Sequence, residues 1–401
     1  MIREVTGGIT VVPGIKAGGI QCGIKEAGKD LALIVSDPPA ISAGLFSRNK
    51  VQAEPLKLTL DHIKYELTRA ILVNSGNANC CTGPEGYSHA QELASLTAKY
   101  LQADPRAILL ASTGIIGKKL PLEKIKTALP SLIKALSPEG GRAAAEAILT
   151  TDKTSKELAV EWNYRGQTFH LGGIAKGAGM IQPDMATMLC FLATDFNIER
   201  SLLQYALKKA VDKSFNRITI DGDTSTNDMV ICLANGLARN ERVCTKNQAY
   251  RAFQEALDHV TLALAHLIVQ DGEGITKFIE IRVVGAATPR DAEAVARSLA
   301  NSLLVKTAFF GEDPNWGRFM MAIGKAEARV NPNKISIAVD DLNLVQQGVA
   351  VLGAWEEKAR EIFRKKEIRV VVDLNLGRAE TVIWTSDLST EYVRLNSQYL
   401  T

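Results

Sequence analysis

The chain has 401 residues, of which 46% are hydrophobic and 23% are charged, as in ordinary globular proteins. Its formal charge of +3 gives no sign of a nucleic-acid partner or of attraction to an anionic membrane. Apolar runs such as Leu31–Val35 fall far short of the roughly 20 residues that span a membrane. Met1–Gly19 contains no continuous apolar segment, so we expect no secretory signal. We therefore expect a soluble cytoplasmic protein with about two or three domains, or one large layered domain.

The cysteines and histidines show no pattern of a metal site or of a disulfide framework. The six cysteines include no C-x-x-C pair, and the five histidines are scattered along the chain. We expect reduced thiols that are buried or half-buried, and no structural metal.

Short apolar runs alternate with segments of helical periodicity, which predicts a mixed α and β fold. In chain order, the predicted strands are Leu31–Val35, Arg69–Val73, Ala107–Ala111, Thr187–Thr194, Met229–Ala234, Lys277–Ala286, Lys334–Val339 and Arg369–Leu376. The predicted helices are Tyr87–Gln102, Leu122–Leu136, Arg200–Lys213 and Lys246–Val269. Pro130 is expected to break the second helix. Loops are predicted at Pro138–Gly141 and at the glycine-dense stretch Gly172–Gly179.

The chemistry is concentrated in Gly172–Asp195, which reads GGIAKGAGMIQPDMATMLCFLATD. A threonine that starts a buried strand, as Thr187 does here, has a simple explanation, because β-branched residues favour strands. The glycines before Thr187 favour a functional explanation, because they permit the strained backbone that self-cleavage needs. The Thr187 hydroxyl would attack the Ala186 carbonyl carbon, and hydrolysis of the resulting ester would leave Thr187 with a free α-amino group.

The new amine would supply the base that a threonine hydroxyl lacks. This hydroxyl is a poor nucleophile at neutral pH unless a neighbouring group accepts its proton. An α-amino group has a pKa of about 7.7–8.0, so a useful fraction is unprotonated near neutral pH. One residue would therefore act as nucleophile and base, and no histidine–aspartate pair is needed.

The stretch Lys176–Leu189, KGAGMIQPDMATML, resembles the processing signature of the ornithine acetyltransferase family, also called bifunctional glutamate N-acetyltransferase. Further blocks resemble the family in the family's order, so the likeness covers nearly the whole chain. These blocks are NSGNANCCTG (Asn74–Gly83), STGIIG (Ser112–Gly117), TTDKTSK (Thr150–Lys156), RITIDGDTSTND (Arg217–Asp228), DGEG (Asp271–Gly274), FGEDPNWGR (Phe310–Arg318) and NSQYLT (Asn396–Thr401). Cys80, where alanine is expected, and Lys153, where another threonine is common, depart from the family pattern.

The resemblance assigns roles to the residues at matching positions. Thr187 matches the nucleophile, and the scissile bond is Ala186–Thr187. Thr113 and Gly114 match the pair that stabilises the oxyanion, a role that suits amide groups at the end of a strand; a plain strand-to-helix turn is the alternative. The matching substrate-binding residues are Thr151 (with Thr150 as the less favoured choice), Lys176, Thr187, Glu273, Asn396 and Thr401.

These residue types suit an acetylated amino acid. Lys176 and the threonine hydroxyls can hold its carboxylate, and Glu273 can pair with the δ-ammonium of N-acetylornithine, although the opposite orientation of the ligand stays open. Asn396 and Thr401 imply that the C-terminus of the chain folds back over the active site.

The resemblance implies a layered α-β-β-α sandwich with helices outside two packed sheets. It implies cleavage into an α chain, 1–186, and a β chain, 187–401, which stay associated as a heterotetramer of two α and two β chains. The implied activity is transfer of the acetyl group of N2-acetyl-L-ornithine to L-glutamate in arginine biosynthesis, by a ping-pong mechanism through acetyl-Thr187 that gives L-ornithine and N-acetyl-L-glutamate. No metal or organic cofactor is implied, and the use of acetyl-CoA as a second acetyl donor is left open.

Two other functions stay open from the residues alone. An N-terminal-nucleophile amidohydrolase or aminopeptidase would use the same Thr187 chemistry with water as the acceptor. A non-catalytic binding protein would keep the fold without the cleavage. The acidic run DGDTSTND, Asp221–Asp228, lacks the closing glutamate of a calcium loop, and we expect a hydrogen-bonded turn near the strand of Thr187.

Overall fold

The computed structural model describes residues 2–182, 188–351, 353 and 355–398. They form two compact units, the first from residues 2–216 and 223–268 and the second from residues 217–222 and 269–398. The strands are β1 Ile2–Val5, β2 Ile15–Ile20, β3 Leu31–Phe46, β4 Thr68–Asn77, β5 Ile108–Ile115, β6 Lys156–Tyr164, β7 Gln167–Lys176, β8 Leu189–Thr194, β9 Met229–Ala234, β10 Phe278–Ala286, β11 Ser336–Val339, β12 Leu342–Gln346, β13 Val349–Ala350, β14 Glu367–Asp373 and β15 Ala379–Ser386.

The helices are α1 Glu54–His62, α2 Gly83–Leu101, α3 Leu122–Lys134, α4 Gly141–Ala147, α5 Arg200–Lys213, α6 Gln248–Gln270, α7 Pro289–Ala300, α8 Leu303–Phe310, α9 Trp316–Gly324, α10 Glu356–Phe363 and α11 Thr390–Gln398. Within the described ranges, none of them has the length and apolar composition of a membrane-spanning helix.

The first unit contains a nine-stranded sheet with β8 near its middle. The strand order is β1-β6-β7-β8-β9-β3-β4-β5, and β2 also pairs with β3. β8 is antiparallel to β7 and parallel to β9. Its residues are all buried, as expected for an uninterrupted apolar run with neighbours on both sides. Because β7 precedes residue 186 and β8 and β9 follow residue 187, the two predicted chains share this sheet.

The long strand β3 joins two halves of the sheet. Its first part, Leu31–Val35, pairs with β2 and β4, whereas Ile41–Phe46 pairs with β9. Side chains from both halves lie in one hydrophobic cluster, so the halves pack face to face. The members of this cluster include Ala32, Ile34, Ile71, Val73, Leu109, Ile174, Phe191, Ala193, Ile231 and Leu233.

Helices cover the outer faces of both halves. Alternate residues of β3, β4 and β5 point away from the shared cluster and pack against α2 and α3. On the other side, the Gln204 side chain of α5 exchanges two hydrogen bonds with the backbone of Gly44 in β3. Phe253 of α6 lies against Trp162 of β6, with ring centroids 6.2 Å apart. The predicted layered α-β-β-α sandwich is therefore confirmed in this unit.

The second unit is a six-stranded sheet with helices packed on it. The strand order is β13-β12-β11-β14-β10-β15, in which β10 is parallel to β14 and antiparallel to β15. At the centre of its core, Phe309 of α8 stacks on Phe363 of α10 at 5.2 Å and on Phe319 of α9 at 5.6 Å. Local signals set the helix starts: the Thr288 hydroxyl caps α7 and the Ser302 hydroxyl caps α8.

The predicted loop Gly172–Gly179 is wrong in its first half, because β7 continues to Lys176. The glycines there allow close packing within a strand. A Cβ atom on Gly172 would lie 2.3 Å from the carbonyl oxygen of Gly8, and one on Gly173 would lie 2.5 Å from the Leu192 side chain. A glycine-rich stretch can therefore mark a strand that another chain segment approaches closely, and it does not always mark a loop.

The predicted break at Pro130 is also wrong, because α3 continues through it to Lys134. Proline inside a helix costs about 3 kcal/mol. The burial of Ile125, Leu129 and Leu132 against the sheet stabilises the helix by about 1.5–3 kcal/mol for each side chain, which outweighs that cost.

All six cysteines are free thiols, so the prediction of a protein without disulfides is confirmed. The expectation that they are all buried or half-buried is wrong for Cys81 and Cys244, which are exposed.

The stacked phenylalanines give a direct test of the second core. Phe309→Ala should lower the free energy of unfolding by about 3–5 kcal/mol, because it removes a ring that is 1% exposed and in contact with two others. The matched control is Phe310→Ala, next in the same helix but 37% exposed, which should lose much less. Urea denaturation measures both, and equal losses would contradict this description of the core.

Candidate functional site

Thr113 and Gly114 lie at the end of β5, where it runs beside β4. The register pairs Ser75 with Thr113 and Gly76 with Gly114. Gly114 has a φ of +128°, and a Cβ atom there would lie 2.4 Å from the carbonyl carbon of Gly76. Only glycine fits this backbone and this close approach. The predicted oxyanion pair therefore lies near the end of β5, where its pairing with β4 becomes irregular.

Lys176 is the last residue of β7 and is almost completely buried, with 3% of its surface exposed. Its Nζ donates a hydrogen bond to the Thr150 hydroxyl at 2.7 Å and lies 3.7 Å from the Asp152 carboxylate. The structure thus brings Lys176 together with one of the two threonines considered for substrate binding. The assignment of Thr151 stays a prediction.

Asp152 is the centre of this charged cluster, and its side chain is fully buried. It accepts hydrogen bonds from Lys156 Nζ at 2.8 Å, from the Gly177 amide at 2.6 Å and from the Thr150 amide at 3.1 Å. Burial favours the neutral acid, but the charges of Lys176 and Lys156 prevail and hold the pKa of Asp152 well below its ordinary value. Two lysines and one carboxylate leave an excess positive charge, which suits an anionic ligand.

A third lysine approaches the same cluster. Lys25 is half-buried, and its Nζ donates to the carbonyl oxygen of Leu149 at 2.9 Å, just before Thr150. Burial lowers the pKa of Lys25, and the nearby charge of Lys176 lowers it further, while Asp30 and Asp152 oppose this. The Asp30 carboxylate fixes the loop of Lys25 by accepting the amides of residues 22 to 25.

In the second unit, Glu273 and Asn396 are in direct contact. The Asn396 side-chain amide donates to the Glu273 carboxylate at 2.8 Å, and Glu273 is 7% exposed. The helix that carries Asn396, α11, packs closely on the Glu273 loop: a Cβ atom on Gly274 would lie 2.4 Å from the Tyr392 amide nitrogen. The structure therefore brings together two predicted substrate-binding residues that are far apart in sequence.

Three predicted residues, Ala186, Thr187 and Thr401, lie outside the residues that the structure describes. The described residues end at Gln182 before Thr187 and resume at Met188 after it. Lys176 pairs with Leu189 across β7 and β8, and Met188 is the residue that follows Thr187.

The sequence prediction missed Asp152, Lys156 and Lys25 as members of the charged cluster. The available signal was the acidic and basic residues of TTDKTSK, which is one of the blocks that resemble the family. Pairing of Lys156 with Ala175 across β6 and β7 brings this block beside Lys176, and that pairing is not visible in the sequence.

Removal of the carboxylate tests the charged cluster. Asp152→Asn should lower the free energy of unfolding by about 3–5 kcal/mol, because Lys156 and Lys176 would keep buried charges without their partner. The matched control is Asp61→Asn, since Asp61 pairs with Lys64 at an exposed site and should change little. Urea denaturation at neutral pH measures both variants.

The pH dependence of this difference follows from the lowered pKa of Asp152. The folded pKa lies below the unfolded value of about 3.9, so the stabilisation is complete above about pH 5 and is lost progressively as the pH falls toward the folded pKa. The gap between the wild type and Asp152→Asn should therefore shrink in acid. A gap that grows on acidification would show that the carboxylate is not held ionised.

Comparison with known proteins agrees with the motifs. A sequence profile of the ArgJ family matches residues 16–401. The arginine biosynthesis bifunctional protein ArgJ of Symbiobacterium thermophilum is 45% identical over 401 residues, which cover 99% of each chain. The glutamate N-acetyltransferase of Methanocaldococcus jannaschii is 45% identical over 413 residues, which cover both chains in full. The crystal structure of ArgJ from Bacillus halodurans is 39% identical, covers 46% of this chain and 98% of its own, and has a TM-score of 0.45. On the profile match and the full-length identity, this chain belongs to the ArgJ family.

Proposed function

We propose that this protein is a glutamate N-acetyltransferase of arginine biosynthesis, which moves the acetyl group of N-acetylornithine to glutamate. The observation that carries the proposal is the 45% identity along the whole chain to a glutamate N-acetyltransferase. A second relative, which is also 45% identical to this chain, is an arginine biosynthesis protein. These relatives favour acetyl transfer over the amidohydrolase alternative.

Thr187 would carry the acetyl group between the two substrates. After cleavage of Ala186–Thr187, its α-amine accepts the hydroxyl proton as Oγ attacks the acetyl carbonyl carbon of N-acetylornithine. Amide groups at Thr113 and Gly114 stabilise the negative oxygen. The C–N bond then breaks, and the leaving ornithine amine takes the proton. Glutamate attacks the acetyl ester through its own amine, and Oγ of Thr187 leaves with a proton.

The charged clusters support the proposed recognition of the substrates. Lys176, with Thr150 or Thr151, would hold the α-carboxylate, because the Lys176–Asp152–Lys156 cluster has an excess positive charge. Glu273 would bind the δ-ammonium of N-acetylornithine, and the amide of Asn396 orients its carboxylate. Thr401 stays a predicted contact of the same ligand.

The shared sheet supports lasting association of the α and β chains after cleavage, since β8 and β9 pair with β7 and β3. Four further parts of the proposal rest on the family resemblance. They are the heterotetramer of two α and two β chains, the absence of a cofactor, the use of acetyl-CoA as a second donor and the cytoplasmic location.

Acetyl transfer is tested directly with N-acetylornithine that carries an isotopic label in the acetyl group. With glutamate present, the wild type should produce labelled N-acetylglutamate and ornithine, and Thr187→Ala should produce neither. Mass spectrometry identifies the products. Labelled acetate as the main product in the presence of glutamate would instead establish a hydrolase, and parallel incubation with labelled acetyl-CoA decides the second donor.

Glu273 is tested through substrate affinity. Glu273→Gln should raise the KM for N-acetylornithine by about tenfold or more, because a neutral amide replaces the charged partner of the δ-ammonium. The control is Glu391→Gln, on the exposed side of α11, where the KM should not change. An unchanged KM in Glu273→Gln would remove this residue from ammonium recognition.

A further inference from the structure

Asp228 holds the chain at the residue that follows Thr187. Its Oδ1 accepts a hydrogen bond from the Met188 amide at 2.9 Å, and Asp228 is 1% exposed. The parallel register of β8 and β9 continues this contact, since the Met229 amide donates to the Met188 carbonyl at 3.1 Å. Met188 is therefore held from β9 through both of its backbone polar groups.

The other carboxyl oxygen of Asp228, Oδ2, is buried and has no hydrogen-bond partner among the residues that the structure describes. An ionised carboxylate in this position would be strongly unfavourable. Burial accordingly raises the pKa of Asp228 well above its ordinary value. Asp228 thus contributes one carboxyl oxygen, Oδ1, that holds the Met188 amide.

The preceding residue, Asn227, reaches the end of β5. Its side-chain amide donates to the carbonyl oxygens of Ser112 and Ala78, both at 2.8 Å. Asn227 is 5% exposed, and both hydrogens of its amide group are used. Ser112 immediately precedes Thr113, so this contact fixes the backbone at the predicted oxyanion pair.

Hydrogen bonds within the turn hold these two side chains in place. The Asn227 amide nitrogen donates to the Ser225 hydroxyl at 3.1 Å, and the Thr226 hydroxyl donates to the Asn227 side-chain oxygen at 2.5 Å. These bonds form a hydrogen-bonded turn in this acidic run, as the sequence predicts, and its last residue, Asp228, contacts Met188 just before β8.

We propose that Asn227 and Asp228 are positioning residues that together fix the Met188 backbone, which follows the proposed nucleophile Thr187, relative to the Thr113–Gly114 backbone. The two residues are adjacent in the chain. Asn227 holds β5 at Ser112, and Asp228 holds the chain just before β8 at Met188. The proposal rests on the proposed function, because it assigns the pair a task in acetyl transfer from Thr187. A misplacement of about 1 Å between reacting groups costs about 100-fold in rate.

The opposite end of β9 provides a matched control. Asn235 follows the last residue of this strand, and its side chain donates to the Pro13 carbonyl at 2.8 Å and accepts from the Leu237 amide at 3.1 Å. Asn235 is half-buried, so it is less buried than Asn227, but it makes the same kinds of bond. It lies six residues after Met229, at the other end of β9, and its partners belong to no predicted site.

The first test compares Asn227→Ala with Asn235→Ala in labelled acetyl transfer, with rates expressed per cleaved chain. Asn227→Ala should lower kcat by about 10- to 100-fold and change the KM values by less than about threefold, because it disturbs alignment and not binding. A folded Asn227→Ala protein that no longer cleaves itself supports the same conclusion. Asn235→Ala should keep kcat near the wild-type value.

The second test uses Asp228 and keeps the proposal falsifiable if Asn227→Ala does not fold. Asp228→Asn retains a side-chain oxygen that can accept the Met188 amide and should keep kcat within about threefold of the wild type, whereas Asp228→Ala should fall as far as Asn227→Ala. An unchanged kcat in Asn227→Ala, an equal loss in Asn235→Ala, or equal losses in both Asp228 variants would overturn the proposal. A wild type without transfer activity would instead overturn the proposed function.

Discussion

The position of β8 is the constraint on which the rest of the first unit depends. All of Leu189–Thr194 is buried, with β7 paired on one side and β9 on the other. A shift of one residue would turn Phe191 and its alternate neighbours away from the cluster between the two half-sheets. The hydrophobic core therefore fixes where β8 begins and where Met188, the residue before it, lies. A cut before Thr187 would break none of these strand pairs.

The charged residues next to this strand are costly in a purely structural role. Asp152, Lys156 and Lys176 are buried, and a buried ion cluster is commonly no more stabilising than apolar side chains of the same volume. The proposed function gives the cluster a purpose that stability does not, because its positive charge would suit the carboxylate of an amino-acid substrate. The same reasoning applies to Asp228, whose buried carboxyl group holds the Met188 amide.

Much of the fold was predictable because buried strands are continuous apolar runs, as Met229–Ala234 shows by matching β9 residue for residue. The prediction ended this strand at Val35, because Asp37, Pro38 and Pro39 interrupt its apolar pattern. In the structure, β3 continues through them to Phe46. Lys176 and Glu273 were found through family resemblance, since an isolated charged residue is usually a surface residue. Asp152 and Asn227 were not found, because their partners lie on strands whose pairing the sequence does not display.

The intact mass of the purified protein, measured beside that of Thr187→Ala, tests the central claim most directly. The account predicts two fragments for the wild type, 1–186 and 187–401, which copurify, and one uncut chain for the variant. A single uncut chain in both proteins would contradict it, because Thr187 would then have no free α-amine to act as its base.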